Sequence, residues 1–243
     1  LSGGRAFAAQ VLGALPPLIT LGIPLLWGAM NWQQLATGLT PELLLLTLRT
    51  LGLALAATLL AGLAALLLAI AKRWSSARWL RGVTFLAGMG YAIPGAVLAL
   101  ALLVIGAPWQ LSPILLLLWG YSDRFLAVNK GGIDAALERL SPSLDEAATG
   151  LGLRWPAVLK RVHLPLLRGP ILVGSLLVFV DTVKELPLTF ALRPFDFDTL
   201  AVRVYQYAGD ERLAAAVWPA LMILVLGLVA SSALVPRLDR ETE

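Results

Sequence analysis

The chain has 243 residues, 58% hydrophobic and only 14% charged, where a soluble domain carries about 25% charged residues; its apolar residues fall in long runs, which makes it an integral membrane protein. It contains no cysteine, so disulfides, thiolate metal sites and cysteine nucleophiles are excluded. The excess of Lys and Arg over Asp and Glu, 19 against 15, marks cytoplasmic loops in such a chain rather than a nucleic-acid surface.

A membrane span needs about 20 mostly apolar residues, and six such stretches follow one another. The first covers about 6–30 and carries Pro16, Pro17 and Pro24. It is too long for a signal peptide and lacks a small-residue cleavage site. The chain starts at Leu1 rather than Met, which fits a processed or trimmed piece of something longer. The second span, 42–71, is dense in Leu and Ala. The third, 82–106, contains Tyr91-Ala92-Ile93-Pro94-Gly95, which should bend it either as a hinge or as a static packing kink. The fourth is 111–128, the fifth 170–191 and the sixth 213–236. With the N-terminus inside, thirteen Lys and Arg fall on cytoplasmic segments and three (Arg193, Arg203 and Arg212) on outer ones. This asymmetry predicts an N-in/C-in all-α transmembrane domain spanning 1–243, with a long cytoplasmic loop at 129–169.

That loop contains SPSLDEAATGLGLRWPAVLKRVHLPLL, residues 141–167. Ser143 can cap a first helix with Glu146 completing a capping box, and Ser141-Pro142 is an equally good start. Gly150 and Gly152 can end it through a left-handed cap. Trp155-Pro156 can open a second short helix, with Ala157, Val158, Leu159 and Val162 as its apolar positions, and Leu164-Pro165 should stop it before the fifth span. Helices this short are marginal alone. One face is expected to rest on the span ends, while the other suits a groove on a partner protein; an ordinary structured loop is the alternative.

Glu146-Ala147-Ala148, then Gly152, then Val162-x-Leu164-Pro165 resembles the cytoplasmic signature loop of ABC importer permeases, with Val162 where that family has an Ile-like residue. The resemblance implies a six-span type I ABC importer permease fold in the bacterial inner membrane. It implies that Glu146, Ala147, Ala148, Gly152, Val162, Leu164 and Pro165 couple the chain to a dimer of cytoplasmic ABC ATPases. It also implies a second permease unit, identical or fused, and a periplasmic substrate-binding protein. On this reading the chain is a transport subunit and not an enzyme. It has no phosphate-binding G-x-x-x-x-G-K-[ST] loop, so ATP and Mg belong to the partner and no cofactor is expected here. His163, the single histidine, is expected to be a surface or packing residue.

The segment from Asp181 through Lys184-Glu185-Leu186-Pro187-Leu188-Thr189, the run Leu192–Ala201, Phe125-Leu126-Ala127-Val128 and Ser141–Glu146 resemble the ferric-iron branch of these permeases. Related branches carrying thiamine, polyamines or phosphonates share much of this frame. Ferric ion takes carboxylate or phenolate oxygens, and no tight cluster of them occurs, so no high-affinity metal site is expected. An ATP-independent secondary transporter and a membrane enzyme are the rival classes; no set of catalytic side chains at one depth supports the second.

Charges inside a bilayer cost about 2.5–3.5 kcal/mol each on insertion scales and face cavities or partners. Asp181, Lys184 and Glu185 should project from one side of the fifth helix. An Asp181–Lys184 pair would leave Glu185 needing a cation, and Arg49 is expected to contact Glu185 or Asp181. Such charges serve either as a gate or as glue between helices. The outer segment 192–212, with Arg193, Asp196, Asp198, Arg203, Asp210, Glu211, Arg212 and two tyrosines, has the mixed character of a docking face for the binding protein.

Overall fold

The computed structural model describes residues 3–33, 38–75 and 77–242; the side chains of 5, 21, 24 and 233–242 lie outside the description. Arg5, Arg237 and Arg240, which enter the orientation argument, are among those side chains. Among the described residues every regular element is helical. Helix α1 is Gly4–Met30 and turns Leu12, Leu18 and Leu26 outward. Helix α2, Pro41–Trp74, begins where the Thr40 hydroxyl accepts the Leu43 N–H at 3.3 Å, with Pro41 in the first turn. Glu42 lies at its start and Lys72 and Arg73 at its end, which complements the helix dipole.

The centre of the bundle is α2 packed on α5 (Pro113–Arg139) and α8 (Leu164–Val183). Buried Ala54, Ala57, Ala61, Ala65 and Ala69 form a small-residue stripe along α2. Such stripes let backbones approach where lipid provides no hydrophobic drive for helix association. Two apolar cores result. One groups Leu53, Leu98, Leu117, Tyr121, Phe125 and Leu188, and the other Ile70, Leu126, Ile133, Leu137 and Leu167. Helix α11, Leu213–Thr242, packs on α10 (Leu200–Gly209) and α8. Three helices, Pro41–Trp74, Trp155–Val183 and Leu213–Ser232, are long and apolar enough to cross a membrane, and Ala6–Thr20 and Gly95–Trp109 are shorter apolar helices.

Two stretches expected to be single spans are interrupted. The third is α3 (Arg78–Ala87), a 3₁₀ turn at Gly90–Ala92 and α4 (Gly95–Gly106). Pro94 has no N–H to continue a helix and disfavours helical backbone at Ile93, which is extended at φ −78°, ψ 127°. The expected bend is therefore a complete break. Gly90 sits in it, with the Asp123 backbone carbonyl so near that a β-carbon would lie within 3.0 Å of the oxygen. Gly90→Ala must push α5 away and is expected to cost about 1–3 kcal/mol, read as a lower thermal midpoint in detergent by tryptophan fluorescence.

The fifth stretch breaks after Val183 and resumes as α9, Pro187–Leu192. Its beginning differs too. Leu164-Pro165 does not stop the preceding helix: α7 (Trp155–Val158) passes through a π-helical turn, Leu159–His163, into α8. Pro165 occupies the first turn of α8. A proline there forgoes only its own N–H, and the wider turn before it takes up the mismatch. The segment 129–169 is accordingly helical at both ends, since α5 runs on to Arg139.

Candidate coupling site

Helix α6, Ser143–Gly150, lies within segment 129–169. The expected capping box does not form. Pro142 is the N-cap, in helical conformation, and no side chain caps the helix; the Ser141 hydroxyl instead lies 2.7 Å from that of Ser143. The C-terminus does follow the expectation at Gly152, whose φ is +84°. Leu153 N–H donates to the Ala148 carbonyl at 3.1 Å and Gly152 N–H to that of Thr149 at 2.9 Å, the paired bonds of a Schellman motif. Gly150 is simply the last helical residue. Gly152→Leu forces a left-handed backbone on a side-chain residue, at about 1–2 kcal/mol, and tryptic cleavage at neighbouring Arg154 should accelerate several-fold.

The helix has two faces. Leu144, Glu146 and Ala147 are exposed, as is Leu151 just beyond, which is 84% exposed. Asp145 and Ala148 are buried. Asp145 sits between two cationic or ionisable partners: its Oδ2 accepts from Arg73 Nε at 2.7 Å, and its Oδ1 lies 2.9 Å from His163 Nε2. The Arg73 guanidinium also donates from Nη1 to the Leu137 carbonyl at 2.8 Å and from Nη2 to those of Leu140 and Ser141 at 3.2 and 3.3 Å. One side chain of α2 therefore closes the end of α5 and holds α6 against it. His163 is fully buried, a packing residue rather than a surface one. It meets Trp74 edge-on at 5.8 Å, and Trp74 packs on Trp155 at 4.8 Å. Val162 and Leu164 are half-buried, while Pro165 is exposed. Arg73, Asp145 and His163 were not among the sequence candidates. Arg73 is one of four basic residues that follow the second apolar stretch, and nothing in the sequence pairs it with position 145.

The intramembrane charges depart from expectation. Asp181 and Lys184 do pair, at 3.0 Å. Glu185 does not continue along their side, because the helix has ended. Its carboxylate turns onto the start of α9, accepting Leu188 N–H at Oε1 and Thr189 N–H at Oε2, both at 3.0 Å, and the Thr189 hydroxyl at 2.8 Å. Buried Tyr121 bonds to the same Thr189 hydroxyl. With its oxygens taken by these donors, Glu185 needs no arginine. Arg49 reaches neither Glu185 nor Asp181. It donates to the Asp196 carbonyl at 2.7 Å and lies over the Phe197 ring at 5.0 Å, satisfied by a carbonyl and a ring face. Arg124 bonds the Ile93 carbonyl at 2.7 Å, so it and Glu185 attend to the two breaks. A β-carbon on Gly95 would lie 3.4 Å from Arg124 Nη1 and 3.1 Å from Glu185 Oε1.

In segment 192–212 Asp198 is shared between Arg193 and Arg203, and Arg203 also pairs with Glu42 at 2.6 Å. These charges are engaged internally, which leaves Asp196, Asp210, Glu211 and Arg212 as the exposed ones. Arg212 lies 4.9 Å over the Tyr207 ring. A cavity of about 490 Å³ opens beside them, lined by Glu42, Arg203, Tyr207, Arg212 and Trp218.

Residues 61–242 match the binding-protein-dependent transport system inner membrane component family. The chain belongs to that family. It is thus a membrane transport subunit and not an enzyme. A relative, the Fe(3+)-transport system permease protein FbpB 2 of Haemophilus influenzae, is 27% identical over 177 residues, 69% of this chain. The chain spans about a third, 35%, of that relative's length. Among solved structures, an alginate-importing bacterial ABC transporter has a TM-score of 0.68 at 17% identity, covering 94% of both chains. A bacterial alginate ABC transporter in complex with an alginate pentasaccharide-bound periplasmic protein gives 0.68 at 16%, covering 96% of this chain and 95% of that one. An amino acid ABC transporter with histidines gives 0.62 at 19%, covering 83% and 94%. The all-α type I importer permease fold expected from the sequence is the fold these structures share.

Proposed function

We propose that the chain is the six-span, N-in/C-in permease subunit of an ABC importer that takes ferric iron from a periplasmic binding protein to the cytoplasm. A dimer of cytoplasmic ATPases carries the ATP and Mg, and this chain needs no cofactor of its own. The observation that carries the reading is α6: a short helix with Glu146, Ala147 and Leu151 outward, seated by the buried Arg73–Asp145–His163 contacts. A helix that cannot persist alone is anchored here and shows one carboxylate among apolar side chains, as a groove-docking element should. Gly152, Val162, Leu164 and Pro165 shape the turn and the return to the membrane. A second permease unit, a copy or a fused half, completes the passage. Exposed Asp196, Asp210, Glu211 and Arg212 are the docking contacts for the binding protein, while Asp181, Lys184 and Glu185 line or brace its outer gate. Ferric iron is favoured over thiamine, polyamine or phosphonate cargo by the FbpB relative; alginate and amino acids are handled by structural neighbours at under 20% identity, where likeness speaks for fold. The test is co-purification with the binding protein and mass-spectrometric identification of its ligand. Bound ferric iron supports the assignment; an organic cation, phosphonate or sugar acid replaces the cargo, and uptake that survives loss of the ATPase removes the importer reading.

A further inference from the structure

Helix α2 touches both polar ends of the molecule. At one end Arg73 holds Asp145 of α6 and the carbonyls of Leu137, Leu140 and Ser141. At the other, Arg49 donates to the Asp196 carbonyl at 2.7 Å, and the Thr50 hydroxyl accepts the Leu200 N–H at 2.9 Å. Nearer its start, Glu42 pairs with Arg203. Between Arg49 and Arg73 the helix rises about 36 Å and contains no proline, the commonest cause of a kink. Its alanine stripe packs it firmly on α5 and α8. By contrast, the helices flanking the cytoplasmic segment include a broken one: α8 ends at Val183 and reaches the outer segment only through α9. Among the described residues, α2 is the long element without a break that is bonded to α6 at one end and to segment 196–203 at the other.

We propose that α2 is the rod through which a protein seated on the outer segment is felt at α6. Arg73 is the positioning residue of its inner end, and Arg49, Thr50 and Glu42 together hold the outer one. The inference rests on the permease reading above. A rod transmits only what both ends hold, so releasing either end suffices and releasing both adds nothing. Sites this far apart with no shared partner otherwise have additive effects, and a shared mechanical element is what makes them non-additive.

The experiment uses the whole complex in proteoliposomes, with ATPase and binding protein, and reads the stimulation of ATP hydrolysis by loaded binding protein. Arg73→Ala, which releases the inner end, and the combined variant Glu42→Ala, Arg49→Ala and Thr50→Val, which releases the outer one, are each expected to lower stimulation at least about fivefold, and the variant with both ends released no further than the worse of the two. Arg73→Lys, which keeps the charge at Asp145 but not the fork over the carbonyls, should recover part of it. Full stimulation in Arg73→Ala, or a loss on releasing both ends that is the product of the two separate losses, overturns the rod. A purely structural role would lower the thermal midpoint and leave stimulation per assembled complex intact, which also overturns it. A second measurement needs only the chain. It has no cysteine, so Leu151→Cys accepts a single spin label, and Arg73→Ala should loosen that label. A label equally immobile with and without Arg73 removes the inner hold, even if the complex shows no stimulation at all, which would count against the permease reading instead.

Discussion

Glu146→Lys is expected to reduce ATP-driven uptake by about two orders of magnitude or more while leaving the chain folded and inserted. The side chain is exposed. The bonds of this residue in the described structure are backbone ones, its N–H to the Pro142 carbonyl and its carbonyl to the Thr149 hydroxyl, and a lysine keeps both. What folding loses is the favourable placement of a carboxylate in the first turn, about 0.3–1 kcal/mol. What docking loses is larger: a charge reversed against a complementary partner costs several kcal/mol, and about 1.4 kcal/mol is a factor of ten. Uptake and ATP hydrolysis measured in the same proteoliposomes check it. Uptake within twofold of wild type, at equal insertion, would dismiss α6 as the docking element.

The contrast between Glu146 and its neighbour Asp145 shows what the sequence could and could not disclose. The spacing from Glu146 through Gly152 to Pro165 was legible because turn chemistry is local: a glycine two residues past a helix end is the place for φ +84°. The burial of Asp145 was not legible, because it depends on Arg73, seventy-two positions away. In the sequence Arg73 is one of several basic residues near a span end, indistinguishable from Lys72, which lies 43% exposed and 3.7 Å from Asp134. The expected contact of Arg49 with Glu185 or Asp181 failed for a related reason. Matching charge with charge ignores backbone carbonyls and ring faces, and Arg49 found one of each. The Leu164-Pro165 stop failed because proline ends a helix only when its neighbours cannot widen a turn. Apolar runs located the long helices, yet hydropathy is blind to whether a run is one helix or two. Both interruptions, at 88–94 and 184–186, lie inside runs that look continuous by composition.

The second of these interruptions carries the largest expected effect on stability. Glu185 is buried, and its carboxylate is the acceptor for three donors: Leu188 N–H, Thr189 N–H and the Thr189 hydroxyl. The first two are orphan amides of a helix start, which have no partner within their own helix. Glu185→Ala strands them in a region where water is scarce. Each buried donor left unsatisfied costs about 1–3 kcal/mol, although the Thr189 hydroxyl keeps its bond to the Glu185 backbone carbonyl at 3.0 Å. The expected loss is about 2–6 kcal/mol, enough to unseat α9 from α4 and α5. Glu185→Gln separates geometry from charge: its carbonyl oxygen can still accept one amide, but its NH₂ group faces the other, so about half the loss should remain. The measurement is the thermal midpoint of the detergent-solubilised chain for wild type, Gln and Ala. The order wild type, then Gln, then Ala is the prediction. Midpoints for Ala and wild type that coincide would mean that water reaches the break, and that α9 begins without its carboxylate.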